Sequence, residues 1–257
     1  MKIAVMFFGH LRTFEETHTF TMTNLIERYD CDIFMHTWDE IDSSTLAWNN
    51  KAQRQKDISW DAVEKIYKPK KLKVEHQETK EDQIVVSLDE SRKTSLNGMK
   101  FMFYSMEQAN KQRYDYELET GMKYDIVLCI RPDIAVYNFL DIEKILFEAN
   151  ILGLDMTRTR FVSSVNRDNG YFLKLSIGQV NDMLFFGKPE VINRYIAANQ
   201  DLTYEYACKH MIAITTIFTS LEIAAGIMPI PMNFQYGKDW RNVLFDNTVF
   251  EEQKSMK

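Results

Sequence analysis

The first 40 residues carry a strand pattern, a helix pattern and a second strand pattern in that order, and this order limits the fold more than any other feature. Residues 2–8 are a nearly continuous apolar run that ends at Gly9, which is typical of a central strand buried on both faces. A helical pattern follows over residues 14–29, and a second strand pattern covers residues 31–35. This order predicts a βαβ unit, whose two strands are parallel and joined by a right-handed crossover.

The same alternation continues along most of the chain. Further strand patterns cover residues 72–74, 124–130, 151–154, 183–187 and 227–230. Further helix patterns cover residues 59–67, 99–119, 140–147, 189–197 and 204–225. The polar stretches 88–97 and 157–169 predict loops. Because no internal repeat or linker-like segment interrupts this pattern, the sequence predicts one α/β domain over residues 1–257. Its sheet is mixed, mainly parallel and Rossmann-like, with helices on its faces and a helical part from residue 200 onward.

Charge and composition exclude several classes of protein. The chain has 31 basic and 37 acidic residues, whereas a nucleic-acid-binding protein usually carries a basic excess, so we expect no nucleic-acid partner. Its three cysteines, Cys31, Cys129 and Cys208, are widely spaced and favour reduced core residues over a disulfide framework or a zinc site. No run approaches the ~20 apolar residues that span a bilayer, and the first residues do not resemble a signal peptide. We therefore expect a cytoplasmic protein.

Lys70 and Lys71 are adjacent lysines, and they raise the possibility that the protein binds to a membrane surface. Clustered lysines favour contact with an anionic membrane surface, but a pair beside a strand is more often ordinary solvated charge. Peripheral association with the inner face of the membrane stays open at this point.

The first candidate binding residues follow the first strand. Gly9 allows a ligand to approach the backbone, and Arg12 can grip a diphosphate through paired hydrogen bonds, with His10 between them. The simpler interpretation is a glycine that ends a strand and an arginine that is solvated.

A second group follows the second strand. His36, Trp38 and Asp39 offer an aromatic face and a carboxylate at the end of a strand, where a nucleoside base and ribose can be recognised. The alternative is a tryptophan that packs over the sheet edge, with Asp39 capping a turn.

The third group, Arg131, Pro132 and Asp133, follows the strongest interior strand. Charged side chains at the end of a buried strand are costly unless they pair or meet a ligand, since an unpaired buried charge costs several kcal/mol. A functional role is favoured, and the alternative is a structural ion pair of Arg131 with Asp133 or with Asp125.

Asp182 stands just before the strand pattern at 183–187, and unaided it is only a turn or capping signal. The histidines show no metal-ligand spacing, and the sequence contains no GxSxG, HExxH, Walker A or GxGxxG motif. These absences argue against serine hydrolases of the GxSxG type, HExxH zinc proteases, P-loop enzymes and GxGxxG dinucleotide-binding enzymes.

Taken in order, six segments of the sequence resemble the bacterial capsule and lipopolysaccharide glycosyltransferases of the GT-A type. The segments are IAVMFFGHLRTF from residue 3, YDCDIFMHTWD from 29, IYKPKKLKVE from 66, FYSMEQANK from 103, YDIVLCIRPDI from 124 and NDMLFFGKPEVINRY from 181. Each segment is short, but their shared order and spacing cover most of the first two hundred residues.

The resemblance implies a GT-A-like fold and transfer of a sugar from a nucleoside-diphosphate sugar to a glycan acceptor in surface polysaccharide synthesis. Gly9, His10 and Arg12 match the first loop of the family, and Asp133 matches the aspartate after its central strand. Asp182 would face the donor sugar or the acceptor, where it is our candidate general base for an inverting reaction. The part of the chain from about residue 200 to 257 is then either an acceptor-side element or a surface tail.

One departure from the family concerns the metal. Enzymes of this type commonly hold Mn²⁺ or Mg²⁺ with Asp-x-Asp at this strand end, whereas this chain has Arg131, Pro132 and Asp133. Asp133 remains as a metal-binding carboxylate, and Arg131 can replace part of the charge of the cation. The missing first aspartate also fits an alternative function, a non-catalytic nucleotide- or glycan-binding protein with the same fold.

Overall fold

A computed structural model describes residues 1–40, 58–80, 90–136, 139–151, 161–163, 184–197 and 234–236. Within these residues six strands form one sheet in the order β3-β2-β1-β4-β7-β6. They are β1 (Lys2–Phe8), β2 (Asp30–Trp38), β3 (Lys71–Glu75), β4 (Ile126–Ile130), β6 (Phe161–Ser163) and β7 (Leu184–Gly187). The first four are parallel, whereas β7 runs antiparallel to β4, and β6 runs antiparallel to β7. The predicted mixed, mainly parallel α/β sheet is confirmed.

Two further strands make a separate ladder. Strand β5 (Ile134–Val136) leaves the end of β4 and pairs antiparallel with β8 (Phe234–Tyr236). The sequence patterns missed β5, β6 and β8, because a strand of three residues is too short for a period of two to register. The predicted loop over 157–169 is therefore wrong at Phe161–Ser163. The rest of the predicted C-terminal helical part lies outside the described residues.

Five helices flank the sheet within the described residues. They are α1 (Phe14–Asn24), α2 (Trp60–Tyr67), α3 (Glu90–Thr120), α4 (Ile142–Ile151) and α5 (Pro189–Ala197). The predicted helix over 14–29 stops early at α1, and a separate 3-10 turn follows at Ile26–Arg28. Among the described helices, none combines the length and apolar character that crossing a bilayer requires.

The predicted loop over 88–97 is wrong from Glu90 onward, because α3 begins there. A polar composition suggested a loop, but Glu90, Arg92 and Lys93 are good helix formers. Adding turns to a helix that has already nucleated is far easier than starting one, so the apolar pattern from residue 99 onward extends upstream.

Strand β1 is buried on both faces, which explains its unbroken apolar run. Ile3, Val5 and Phe7 belong to a core that also includes residues of α1 and α2, and Ala4, Met6 and Phe8 belong to one with residues of α3 and α5. The same alternation holds in β4, so the two central strands carry core residues toward both helical layers.

The end of α2 shows how the backbone turns toward β3. Lys68 has φ +45° and ψ +52°, the left-handed conformation, and its backbone N–H donates to the Glu64 carbonyl oxygen at 2.8 Å. Pro69 follows and prevents the helix from continuing, as the sequence predicts.

Lys68→Gly should stabilise the protein by about 0.5–1 kcal/mol, because glycine adopts this conformation without the steric penalty of a side chain. The matched control is Lys65→Gly, at an exposed position in the last turn of the same helix, which should destabilise by about 1 kcal/mol. Urea unfolding of both variants measures the difference. Destabilisation of similar size in both would contradict the left-handed cap.

Candidate functional site

The loops that leave β1, β2, β3 and β4 lie along one edge of the sheet. Phe8 pairs with His36, Phe7 with Ile130 and Trp38 with Glu75, so the carboxyl ends of the four strands are level. Ligands of open α/β sheets bind at this edge, and we call the side of the sheet at the carboxyl ends of β1, β2, β3 and β4 the ligand edge. The structure therefore brings the loops of the three predicted groups to one side of the molecule, whereas Asp182 lies outside the described residues.

At the centre of this edge Asp133 accepts hydrogen bonds from two arginines, and we call Arg12, Arg131 and Asp133 the arginine clamp. Arg131 Nε donates to Asp133 Oδ1 at 2.9 Å and its Nη2 donates to Oδ2. Arg12 Nη1 donates to the same Oδ2 at 3.2 Å. The Asp133 side chain is 1% exposed, and those of Arg12 and Arg131 are 15% and 13% exposed. Of the two ion pairs that the sequence left open, the one with Asp133 forms, and Asp125 instead accepts from the Lys2 backbone N–H.

The charges of the clamp determine the ionisation of its carboxylate. Burial by itself would raise the pKa of Asp133, but the positive charges and hydrogen bonds of Arg131 and Arg12 outweigh burial and hold the pKa below its usual value. Asp133 is therefore ionised at neutral pH. Two guanidinium groups face one carboxylate, so these three side chains carry a net charge of +1 at the ligand edge of the sheet.

Two left-handed residues shape the first loop. Gly9 has φ +90°, which glycine adopts freely, and Arg12 has φ +42°, which is uncommon for a residue with a side chain. Such strain costs about 1–3 kcal/mol and often marks functional loops. The loop turns at Arg12 and the chain then enters α1, from which Thr17 donates to the Pro132 carbonyl oxygen at 2.8 Å. This bond ties the Arg12 loop to the Arg131 loop.

Two buried hydroxyl groups near the clamp have no hydrogen-bond partner among the described residues. They are the Thr13 Oγ1, directly after Arg12, and the Tyr67 phenol. Tyr67 is fully buried, and burial together with the negative charge of Asp133 raises its pKa, so it stays a hydrogen-bond donor. An unsatisfied buried polar atom is unusual in a folded protein and requires an explanation such as a bound ligand or water.

A buried hydrogen-bond chain connects β3, β2 and α3 to the first loop. His36 Nε2 lies 3.0 Å from Glu75 Oε2, His36 Nδ1 lies 2.7 Å from Ser105 Oγ, and the Gly9 backbone N–H donates to Ser105 Oγ at 2.7 Å. Lys73, Lys80 and Tyr104 also contact the Glu75 carboxylate. We call this set the Glu75–His36–Ser105 chain.

The protonation states in this chain follow from its partners. Burial raises the pKa of Glu75, but hydrogen bonds from Lys80, Lys73, His36 and Tyr104 lower it to about 2, so Glu75 is an ionised acceptor. Burial lowers the pKa of His36 to about 4, against which Glu75 acts only in part. Neutral His36 therefore carries its proton on Nε2 and accepts the Ser105 hydroxyl at Nδ1. The chain fixes the position of the Gly9 backbone N–H.

Trp38 lies inside an aromatic cluster. It is 1% exposed, stacks on Tyr104 with ring centroids 5.8 Å apart, and meets Phe101 and His36 edge-on. This packing matches the alternative of a tryptophan over the sheet edge. The predicted contact of Trp38 and His36 with a nucleoside stays a prediction.

Asp39 and His10 lie beside this cluster. Both carboxylate oxygens of Asp39 contact His76 Nδ1, at 2.9 and 3.0 Å, and His10 Nδ1 lies 3.1 Å from the Glu40 carbonyl oxygen. Asp39, Glu40 and His76 offer metal-ligand atoms within 4.8 Å of one another. Such a group is common at protein surfaces without a metal. The hydrogen bonds between Asp39 and His76 are enough to bring two of its three members together.

The fold and this edge define an α/β protein with a mainly parallel sheet and a basic, partly buried cluster at the carboxyl ends of its strands. No protein-family model matches the chain, and a search of the curated proteins finds no match. The resemblance to glycosyltransferases therefore rests on the sequence segments alone.

Three residues of the site were missed by sequence reasoning: Ser105, Glu75 and Tyr67. All three stand inside segments that carry the family resemblance, but each sits in a regular helix or strand rather than in a loop. Ser105 shows a weak signal, a small polar residue on the apolar face of α3. Glu75 and Tyr67 show no such signal in the sequence, because their roles depend on contacts with residues that are distant in sequence.

The protein should lose stability as the pH falls from 6.5 to 4, because unfolded His36 takes up a proton near pH 6.5 and the folded side chain does so only near pH 4. Its contribution is complete above pH 6.5 and amounts to roughly 3 kcal/mol at that limit. Urea unfolding at several pH values measures the slope. In His36→Gln the free energy of unfolding should depend less steeply on pH over this range, by the equivalent of up to one bound proton. An unchanged pH dependence would contradict a buried neutral His36.

Arg12→Gly should be more stable than Arg12→Ala by about 1 kcal/mol, because both variants lose the guanidinium and only glycine relieves the positive φ. Thermal unfolding of the two proteins side by side makes the comparison. Equal melting temperatures would show that the loop adopts an ordinary backbone conformation at residue 12.

Proposed function

We propose that this chain is a glycosyltransferase that moves a sugar from a nucleoside-diphosphate sugar to a glycan acceptor in the synthesis of a bacterial capsule or lipopolysaccharide. The observation that carries the proposal is the arginine clamp at the carboxyl edge of a parallel sheet. This edge is where open α/β sheets bind nucleotides, and a net positive cluster there suits a diphosphate.

The chemistry needs charge stabilisation on the leaving group. In sugar transfer the bond between the anomeric carbon and the diphosphate oxygen breaks, and a new bond forms from the acceptor oxygen to that carbon. The diphosphate gains negative charge as it leaves, and Arg12 and Arg131 would donate hydrogen bonds to it as that charge develops. Their positions are already fixed by Asp133, so little reorganisation is needed at the moment of reaction.

The other predicted residues would complete the donor and acceptor sites. Gly9 would let the diphosphate approach the backbone, and the hydrogen bond from its N–H to Ser105 Oγ fixes the loop. His10, His36, Trp38 and Asp39 surround the neighbouring strand ends, on the side proposed for the nucleoside. Asp182 would take the proton of the acceptor hydroxyl if the reaction inverts, and strand β7 supports this placement because its first residue, Leu184, pairs with Ile130 at the ligand edge.

The proposal includes a location for this activity, the cytoplasm at the inner face of the membrane. The lysine pair fits this only in part, because Lys70 lies 3.4 Å from Asp32 and Lys71 pairs with Glu119.

Thermal-shift assays with UDP-, GDP-, CMP- and dTDP-linked sugars should give a selective rise in melting temperature for one nucleotide class, because a ligand of the folded state stabilises it by mass action. Arg131→Lys should weaken this ligand by roughly tenfold or more, because lysine keeps the charge and loses the paired hydrogen bonds. Arg28→Lys is the matched control, since Arg28 is exposed in the turn before β2, at the opposite edge of the sheet.

Consumption of the selected donor with a glycan acceptor then separates catalysis from binding alone. If the donor binds but is not consumed with any acceptor tested, the alternative of a non-catalytic nucleotide- or glycan-binding protein is favoured. Absence of any shift at millimolar ligand would remove the donor-binding model itself.

A further inference from the structure

We infer that the arginine clamp takes the place of the divalent cation in this site, so that the chain binds a diphosphate directly, without Mn²⁺ or Mg²⁺. The inference rests on the proposed function for the identity of the anion. It is an alternative to the expectation that Asp133 holds a metal, and three properties of the clamp support it.

The first property is the occupation of the carboxylate. A divalent cation binds carboxylate oxygens at about 2.0–2.6 Å and needs several oxygen ligands around it. Both oxygens of Asp133 already accept hydrogen bonds from guanidinium groups, Oδ1 from one and Oδ2 from two. A metal at Asp133 would have to displace at least one of these bonds and would lie next to two positive charges. The residues present at this position therefore do not fit the metal that the resemblance implies.

The second property is the balance of charge. Arg12 and Arg131 contribute two positive charges and Asp133 contributes one negative charge, which leaves +1. A divalent cation on a single carboxylate would leave the same excess. The two arrangements offer a diphosphate the same net charge, and guanidinium groups match phosphate oxygens with paired, directional hydrogen bonds.

The third property is the pair of buried hydroxyl groups. Thr13 Oγ1 follows Arg12 directly, and the Tyr67 phenol lies close enough to Asp133 for its charge to raise the phenol's pKa. Neither has a hydrogen-bond partner among the described residues. A hydroxyl that keeps its proton can donate a hydrogen bond to a phosphate oxygen. These groups therefore add two unsatisfied donors beside the positive charges of the clamp.

The carboxylate has a positioning role in this arrangement. Asp133 orients both arginines and does not itself contact the ligand. Removing its charge leaves two like-charged guanidinium groups, which repel each other and lose their fixed geometry, so Asp133→Asn should weaken anion binding even though the site becomes more positive. A general electrostatic attraction would give the opposite result.

The test is isothermal titration of the full-length protein with inorganic pyrophosphate, once in excess EDTA and once with saturating Mn²⁺. We expect binding in EDTA, with an affinity similar to that in Mn²⁺ once the metal-bound fraction of the pyrophosphate is taken into account. Arg131→Lys and Asp133→Asn should each weaken the binding in EDTA by roughly tenfold, and Mn²⁺ should restore neither. Arg28→Lys should bind like the parent chain.

Circular dichroism and thermal unfolding show whether Asp133→Asn is folded, and Arg131→Lys gives the same test if it is not. Binding that requires Mn²⁺ would overturn the inference and leave the proposed transferase intact. Binding in EDTA without turnover of any sugar nucleotide would uphold the inference and remove the transferase. Absence of pyrophosphate binding under both conditions would overturn the clamp as an anion site.

Discussion

The ligand edge of this protein depends on one buried carboxylate held between two guanidinium groups. Asp133 is out of contact with water, so its charge is tolerable only because Arg131 and Arg12 compensate it. The dependence is mutual, because the two arginines stand 119 residues apart in sequence and both donate hydrogen bonds to this carboxylate. One ion cluster therefore stabilises the fold locally and sets the geometry of the candidate site.

The loops around the clamp are fixed by hydrogen bonds from the regular elements beneath them. Thr17 of α1 holds the Pro132 carbonyl, and Ser105 of α3 holds the Gly9 backbone N–H. Ser105 is in turn oriented by His36, and His36 by the ionised Glu75 of β3. Three strand ends and one long helix are thus connected through side chains that are nearly all buried. A site built in this way is organised before any ligand binds, which is the condition under which fixed charges stabilise a developing charge most effectively.

The sequence predicted the sheet well and the contacts within the site less well. Continuous apolar runs identified β1 and β4, and Pro69 and Gly121 marked helix ends where the structure has them. The extent of α3 was underestimated, because polar helix and polar loop look alike without tertiary contacts. Arg131 and Asp133 were recognised because charge at the end of a buried strand is costly, and that argument needs no partner. Their link to Arg12, and the roles of Glu75, Ser105 and Tyr67, depend on distances between residues that no local pattern encodes.

Arg131-Pro132-Asp133 stands where the glycosyltransferases that the sequence resembles commonly carry Asp-x-Asp, and this difference limits what the remaining carboxylate can do. With two aspartates, each carboxylate can offer oxygens to a cation, and the cation contacts the diphosphate. With arginine at the first position, the guanidinium lies two residues before Asp133, within reach of its side chain, and occupies it with two parallel hydrogen bonds. Arg12 completes the arrangement from the neighbouring strand end, where its positive φ brings it to the same oxygen. The carboxylate then holds the positive charge of two guanidinium groups in place, which is the arrangement from which we infer diphosphate binding without a cation.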